Sequence, residues 1–367
     1  MPGKPVLRSL AAAIAIATPL LTPGTAPAQG LPAGYDPSYA RIVEAANQEG
    51  TLNVSSTTDA TVAGELLRGF EALYPGIKLE YAEQNSTEMY NRFISEAAAN
   101  TGTTDFMWSA AMDLQIKLVN DGYAQPYASP EIRALPDWAN WKNEAYGTTA
   151  EPVVIAYNKR VVPEADVPKT HADLTRLLTE KAEAYQGKVS SLDPERSGLG
   201  FLYLAQDMQA NRNGWDLAKA MGQSGVKLYT SSGAMIERLS SGEHSIGYNV
   251  IGSYVLERQK KDPAIGIVLP SDYTIVMARI AFIPKGARHP NAARLFLDYL
   301  LSRPGQEAMT RRSVGAIRTD LAYLNPTADM PVDMLRPIAM NQELLAHLDQ
   351  VKRLKFLKSW QTALQRK

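Results

Sequence analysis

Apolar and polar positions along this chain predict short strands alternating with amphipathic helices. Residues 39–48 carry Ile42, Val43 and Ala46 at helical spacing, and Gly50 stops them as a glycine just past a helix end would. Residues 51–56 read as a strand. The hydroxyl cluster Ser56-Thr57-Thr58-Asp59 then leads into a helix marked by Leu66, Phe70 and Leu73, ended by Pro75-Gly76. Ile77, Leu79 and Tyr81 alternate as a strand. Asn85, with Glu88 three residues on, predicts a helix cap before the stripe Met89, Phe93 and Ala97. Residues 105–109 read as a strand and 113–120 as a helix. This β-α-β-α-β-α order over 50–120 argues for a parallel sheet covered by helices.

Residues 123–146, rich in Pro, Trp and Asn, read as loop. The next run, Ala-Glu-Pro-Val-Val-Ile-Ala-Tyr-Asn at 150–158, is apolar and β-branched with polar ends. It predicts a strand with little water on either face. A second α/β region follows. Its helices are expected at 169–185, from Gly198 to about 209, and at 215–221, 234–240 and 254–260. Its strands are expected at 188–192, 226–230 and 246–251. Two further strand runs, 265–269 and 273–283, are separated by Pro270-Ser271-Asp272. A strong amphipathic helix at 290–302, another from Arg303, a loop carrying Arg318 and a helical tail at 342–360 complete the pattern.

The chain therefore reads as two α/β lobes joined by two crossing strands, with a ligand cleft between them. Residues 29–150 and 276–312 are expected to build the first lobe, and 159–264 the second. Residues 151–158 form the outward crossing and 265–275 the return. Residues 313–367 are assigned to C-terminal helices, mainly on the second lobe. Two crossings permit bending of one lobe toward the other and restrict other motions.

The 367 residues suffice for two domains with full cores. Hydrophobic residues make up 45% and charged residues 21%, with Lys plus Arg equal to Asp plus Glu. A chain so balanced offers no basic field for nucleic acid. Residues 1–28 have the form of a secretory signal: Lys4 and Arg8, an apolar stretch over 10–21, and Ala26-Pro27-Ala28 as the cleavage site. Removing them leaves 36 basic residues against 38 acidic. With no cysteine anywhere, thiol catalysis and cysteine metal sites are excluded. The mature product is expected to be a periplasmic monomer.

Catalytic signatures are sparse. His171, His244, His289 and His347 are scattered without metal-ligand spacing, and no G-x-S-x-G, P-loop or G-x-G-x-x-G occurs. Asp193 and Glu195 could flank a substrate as two carboxylates, but they also suit a solvated turn. Binding signatures are denser. Strand-to-helix corners at Ser56–Thr58, Ser109–Ala111 and Ser231–Gly233 carry small hydroxyl residues, and the corner Arg196–Gly198 adds a cation. In open α/β sheets such corners hold ligands, because free helix N–H groups and the positive dipole end favour an anion. Helix capping alone also explains Ser and Thr there. Tyr248-Asn249, Tyr254 and Tyr273 lie at strand ends where an apolar face with a polar tip suits a cleft. Glu151 begins the crossing strand and is a further cleft candidate.

Several segments together resemble one family. They are Gly50-Thr-Leu-Asn-Val-Ser-Ser-Thr-Thr58, Asp105-Phe-Met-Trp-Ser-Ala-Ala-Met-Asp113, Val154-Ile-Ala-Tyr-Asn158, Gly242-Glu-His-Ser-Ile-Gly247, Pro290-Asn-Ala-Ala-Arg-Leu-Phe-Leu-Asp-Tyr-Leu300 and Ala316-Ile-Arg-Thr-Asp320. The chain is similar to the type II periplasmic solute-binding proteins of ABC transporters, and more narrowly to the ferric-ion-binding branch and its anion-binding relatives. Ferric-binding members share an adjacent pair of iron-ligating tyrosines. The corresponding stretch here is Asn249-Val-Ile-Gly-Ser-Tyr254, and no Tyr-Tyr occurs. Relatives without the pair hold phosphorylated or carboxylated organic molecules.

The resemblance implies capture of a small organic anion and its delivery to a permease in the inner membrane, with no cofactor, no catalysis and no nucleic-acid partner. Ser56, Thr57, Thr58, Ser109 and Glu151 are the expected ligand contacts from the first lobe and the crossing. Arg196, Ser197, Asn249 and Tyr273 are those from the second lobe and the return. Ferric iron or an iron chelate is the alternative ligand. An exported glycosidase or transferase using Asp193 and Glu195 is a more distant alternative, and a sensor presenting its closed form to a receptor is a third class.

Overall fold

A computed structural model describes residues 34–364 together with Met1, Gly3 and Pro32. Apart from Met1 and Gly3, the expected signal lies outside the described residues. In chain order the strands are β1 Thr51–Ser56, β2 Lys78–Glu83, β3 Phe106–Ser109, β4 Asn140–Trp141, β5 Ala145–Gly147, β6 Glu151–Asn158 and β7 Val189–Leu192. They continue as β8 Lys227–Tyr229, β9 Ile246–Ile251, β10 Ile265–Val268, β11 Thr274–Met277, β12 Ile280–Phe282 and β13 Leu335–Pro337.

These strands form two sheets, one per lobe. The first has the order β2-β1-β3-β12-β5-β4, with β1, β2 and β3 parallel and β12 antiparallel to both β3 and β5. The second has the order β13-β11-β6-β9-β7-β8, with β10 also paired to β6. Helices Ala60–Leu73 and Ser86–Ala98 connect the parallel strands of the first sheet, as parallel pairing requires. Each buries its stripe: Leu66 and Phe70 in one, Met89 and Phe93 in the other. Six of the eight β6 residues from Glu151 onward are buried without a break, and all of β9 is buried, which explains their continuous apolar runs.

The chain leaves the first sheet after β5 and enters the second at β6. It returns between β11 and β12, at Ala278-Arg279. The stretch 273–283, which reads as one strand in the sequence, is therefore two strands in two sheets. Its apolar residues are buried on both sides of the break, so hydrophobicity alone gives no sign of it. The Pro- and Trp-rich stretch 123–146 also contains the short pair β4–β5, too brief for alternation to register.

The C-terminal part divides. Arg318 pairs with Glu131 and Thr319 Oγ1 donates to the Ala134 carbonyl at 3.2 Å, so this loop lies on the first lobe. β13 then pairs with β11, and the final helix Gln350–Leu364 packs on the second lobe. Its Trp360 is buried with Leu217 and Met221, and Phe356 lies 5.3 Å from the Trp215 ring.

Candidate functional site

The carboxyl ends of β1, β2, β3, β7, β8 and β9 deliver the chain to six helix starts that face each other across the lobes. A cavity of about 330 Å³ lies between them. Its lining includes the N-cap residues of six helices: Asp59, Asn85 and Ala111 from the first lobe, and Ser197, Ser231 and Ile251 from the second. Asn85 Oδ1 accepts from Thr87 N at 2.9 Å, Ser197 Oγ from Gly200 N at 3.3 Å and Ser231 Oγ from Ala234 N at 3.3 Å. The other three caps make no side-chain cap bond. At the helix after Asp59, Glu83 reaches across from β2 and accepts from Ala60 N at 2.9 Å. Six positive dipole ends thus converge on one space.

Beneath the cavity lies a buried charge node. Arg279, at the return crossing, and Glu151, at the outward crossing, are both fully buried. Arg279 Nε donates to Glu151 Oε1 at 2.7 Å and Nη2 to Oε2 at 3.0 Å. Its Nη1 donates to Thr58 Oγ1 at 2.7 Å in the first lobe. From the second lobe, Ser253 Oγ donates to Glu151, and the Tyr254 ring sits 5.5 Å from the guanidinium carbon. Burial works against the charge on Arg279, but the Glu151 carboxylate outweighs it and holds the guanidinium above its ordinary range. One ion pair therefore ties both crossings to both lobes.

The nominated residues fall into different places. Thr57 and Ser197 line the cavity. Ser56, Thr58 and Ser109 stand behind the lining with their hydroxyls occupied: Ser56 Oγ accepts from Thr58 N at 3.0 Å, Ser109 Oγ from Ala111 N at 3.1 Å, and Thr58 Oγ1 from Arg279 in the charge node. Glu151 belongs to the node. Arg196 is exposed and outside the lining.

Asn249 and Tyr273 are turned to Asp207 instead of the cavity. Asp207 accepts from Asn249 Nδ2 at 2.5 Å, Tyr248 OH at 2.7 Å and Tyr273 OH at 3.0 Å. Burial pushes this carboxyl up, against the pull of nearby His171 and the three donors. Asn249 also has φ 58°, and the β6–β9 register shifts beside it. It is the bulge residue of β9, for which Asn is suited because it tolerates a positive φ.

Sequence reasoning missed Arg279 and Glu83 as parts of this region; it placed Tyr254 at a strand end suited to a cleft, and Tyr254 does line the cavity. Arg279 had a signal: a lone cation inside an apolar run is almost never buried without a partner. Tyr254 OH accepts from Asp59 N at 3.1 Å, a bond from one lobe to the other. The acidic residues Asp59, Glu83 and Glu88 also line the cavity, and no Lys or Arg does among the described residues. Burial and the neighbouring Glu83 push the Asp59 carboxyl up to about 6. Gln84, also on the lining, has its Nε2 shielded from solvent and without a hydrogen-bond partner. Among the described residues no group of three or more His, Asp or Glu side chains is placed to hold a metal ion.

The family model for bacterial extracellular solute-binding proteins matches residues 65–335. The chain belongs to that family. A solved structure of the substrate-binding protein of an ABC transporter from Agrobacterium tumefaciens is 38% identical, with a TM-score of 0.82 over 86% of this chain and 94% of that one. Two further structures share the fold at lower identity. One is the periplasmic binding protein AfuA from Actinobacillus pleuropneumoniae with fructose-6-phosphate bound, at 19% identity and TM-score 0.70 over 86% of this chain and 98% of that one. The other is iron-bound HitA from Pseudomonas aeruginosa, at 18% and 0.69 over 85% and 99%.

This solute-binding protein accordingly has the type II periplasmic-binding fold and serves an ABC transporter. Its family works outside the cytoplasm, and its members bind solutes for transport instead of transforming them. The cavity between the lobes is where such a fold would close on a ligand.

Proposed function

We propose that this protein captures a small organic anion, phosphorylated or carboxylated, in the cavity between its lobes and hands it to a permease in the inner membrane. The observation that carries the reading is the convergence of six helix starts on one cavity. Free N–H groups at helix starts stabilise an anion without any basic side chain. Thr57, Ser197, Thr230 and Ser231 add hydroxyls to the wall. The fructose-6-phosphate named for the AfuA structure belongs to the same chemical class. Ferric iron is less suited, because among the described residues Tyr254 is the single phenol on the lining, and its oxygen already accepts a backbone hydrogen bond.

A thermal-shift and calorimetric panel of sugar phosphates, short carboxylates and ferric citrate tests this. The reading expects one-to-one binding of an organic anion. Tight ferric binding with a tyrosinate-to-iron absorption band would overturn it.

A further inference from the structure

The cavity wall is not uniform. Its second-lobe side, with Ser197, Leu199, Thr230, Ser231, Ser232 and Ile251, bears no charge among the described residues. Its first-lobe side bears Asp59, Glu83 and Glu88. A wall shaped only for an anion would not place three carboxyls on the lining, because like charges there repel the ligand.

Asp59 is the most telling of the three. It occupies an N-cap position, where an aspartate ordinarily bonds the first helix amides, yet its side chain makes no cap bond. Glu83 takes the amide of Ala60 in its place. Helix capping therefore does not account for the Asp59 carboxyl. It lies half-buried on the cavity, hydrogen-bonded to the exposed Glu83 and to the Tyr254 hydroxyl, both of which also line that space. The shielded, unpartnered Nε2 of Gln84, which follows Glu83 in the chain, is the complementary feature: a donor without an acceptor.

We infer that the ligand is zwitterionic, with an ammonium group held by Asp59 and Glu83 and an anionic group held by the helix starts and the Gln84 amide. The inference rests on the organic-anion reading and narrows it. One end of the ligand satisfies the acidic side of the cavity, and the other satisfies the donors that ring it. An aminated alkyl phosphate or phosphonate, or a short amino acid with its amine distant from the carboxylate, has this form.

The test pairs ligands that differ only in the amine. Purified protein is titrated calorimetrically with 2-aminoethyl phosphate against ethyl phosphate, and with β-alanine against propionate. The first pair probes phosphate as the anionic end and the second probes carboxylate. At least one aminated probe is expected to bind about tenfold or more tighter than its partner, as for a desolvated charge contact. Asp59→Asn should bring that ratio close to one, and Glu83→Gln should reduce it. Melting curves of both variants verify that they fold. Equal binding within each pair, or a ratio unchanged in both variants, would overturn the zwitterion inference and leave the organic-anion reading standing. Absence of heat with all four probes and with the sugar-phosphate panel would overturn that reading as well.

Discussion

At the residue scale, the pair Glu151–Arg279 sets the energetics of the cleft floor. Both ends are fully buried, and each has its hydrogen-bonding groups engaged by Thr58, Ser253 and the partner. Breaking such a pair leaves one charge in a dry site, while removing both charges does not. Arg279→Met is therefore expected to destabilise the fold by about 3–5 kcal/mol. The double variant Glu151→Leu with Arg279→Met should recover most of that loss, and urea melts of the single and double variants measure it.

The Asp59 carboxyl gives a second, pH-based expectation. It is faced by Glu83, Tyr254 and Arg279, and across an adjoining cavity by Glu237, Glu257, Arg258, Lys261 and Arg312. With its carboxyl pushed up to about 6, the site gains a proton as pH falls through that value. Affinity for an ammonium probe should then weaken by up to about tenfold per pH unit below 6, and Asp59→Asn should abolish the dependence.

The residue scale is also where the sequence was least legible. Hydroxyl residues at strand ends were visible, but which faced the cavity was not. Ser56, Thr58 and Ser109 carry the same side-chain chemistry as Thr57, but Ser56 and Ser109 are turned to local amides and Thr58 to the distant Arg279 guanidinium. Asn249 and Tyr273 read as cleft residues because their partner, Asp207, is about 40 to 70 positions away in the chain, and no local pattern reports such a contact.

At the scale of elements, periodicity located the helices and strands because each buries one stripe or a whole run. It failed where an element is short or a run is doubly buried, as at β4–β5 and at the β11–β12 break. Two element-level features bear on function. The first is the β9 bulge. Replacing Asn249 by Gly keeps the positive φ and loses one bond to Asp207, whereas Ala also strains the backbone. Asn249→Ala should cost about 1–3 kcal/mol and Asn249→Gly less, as read by thermal melts. The second is the contact of helix Gly198–Ala210 with the first lobe. A Cβ on Gly198 would stand 2.6 Å from Leu114 Cδ1 and 3.2 Å from Ser86 Oγ. The lobes approach there at glycine distance, so Gly198→Val should wedge them apart. Ligand affinity should fall about tenfold or more, because the closed form then carries an overpacking cost of roughly 1–3 kcal/mol. The melting temperature of the unliganded protein should change little, and calorimetry beside a melt separates the two effects.

At the scale of the whole molecule, two lobes on a double crossing follow from the order of α/β units, and this was legible from sequence. The stability of the assembly should carry a pH signature that was not. Burial pushes the Asp113 carboxyl up to about 7 and the Asp298 carboxyl up to about 6, from 3.8. Groups that hold protons more tightly when folded stabilise the fold fully below the unfolded value, and that stability is lost as pH rises through the folded one. The buried His244, held below its ordinary 6.5 by burial, acts in the opposite sense. Asp113→Asn isolates the carboxyl contribution: between pH 5 and 8 the variant should lose less melting temperature than the parent, and an identical or steeper loss would count against it.

The central claim is that an organic anion sits between the lobes and draws them together. Small-angle scattering of the purified protein, with and without the anion selected by calorimetry, measures this directly. The account predicts a smaller radius of gyration on adding that anion, lost in Gly198→Val. An unchanged radius at saturating ligand, or contraction by ferric citrate alone, would contradict it.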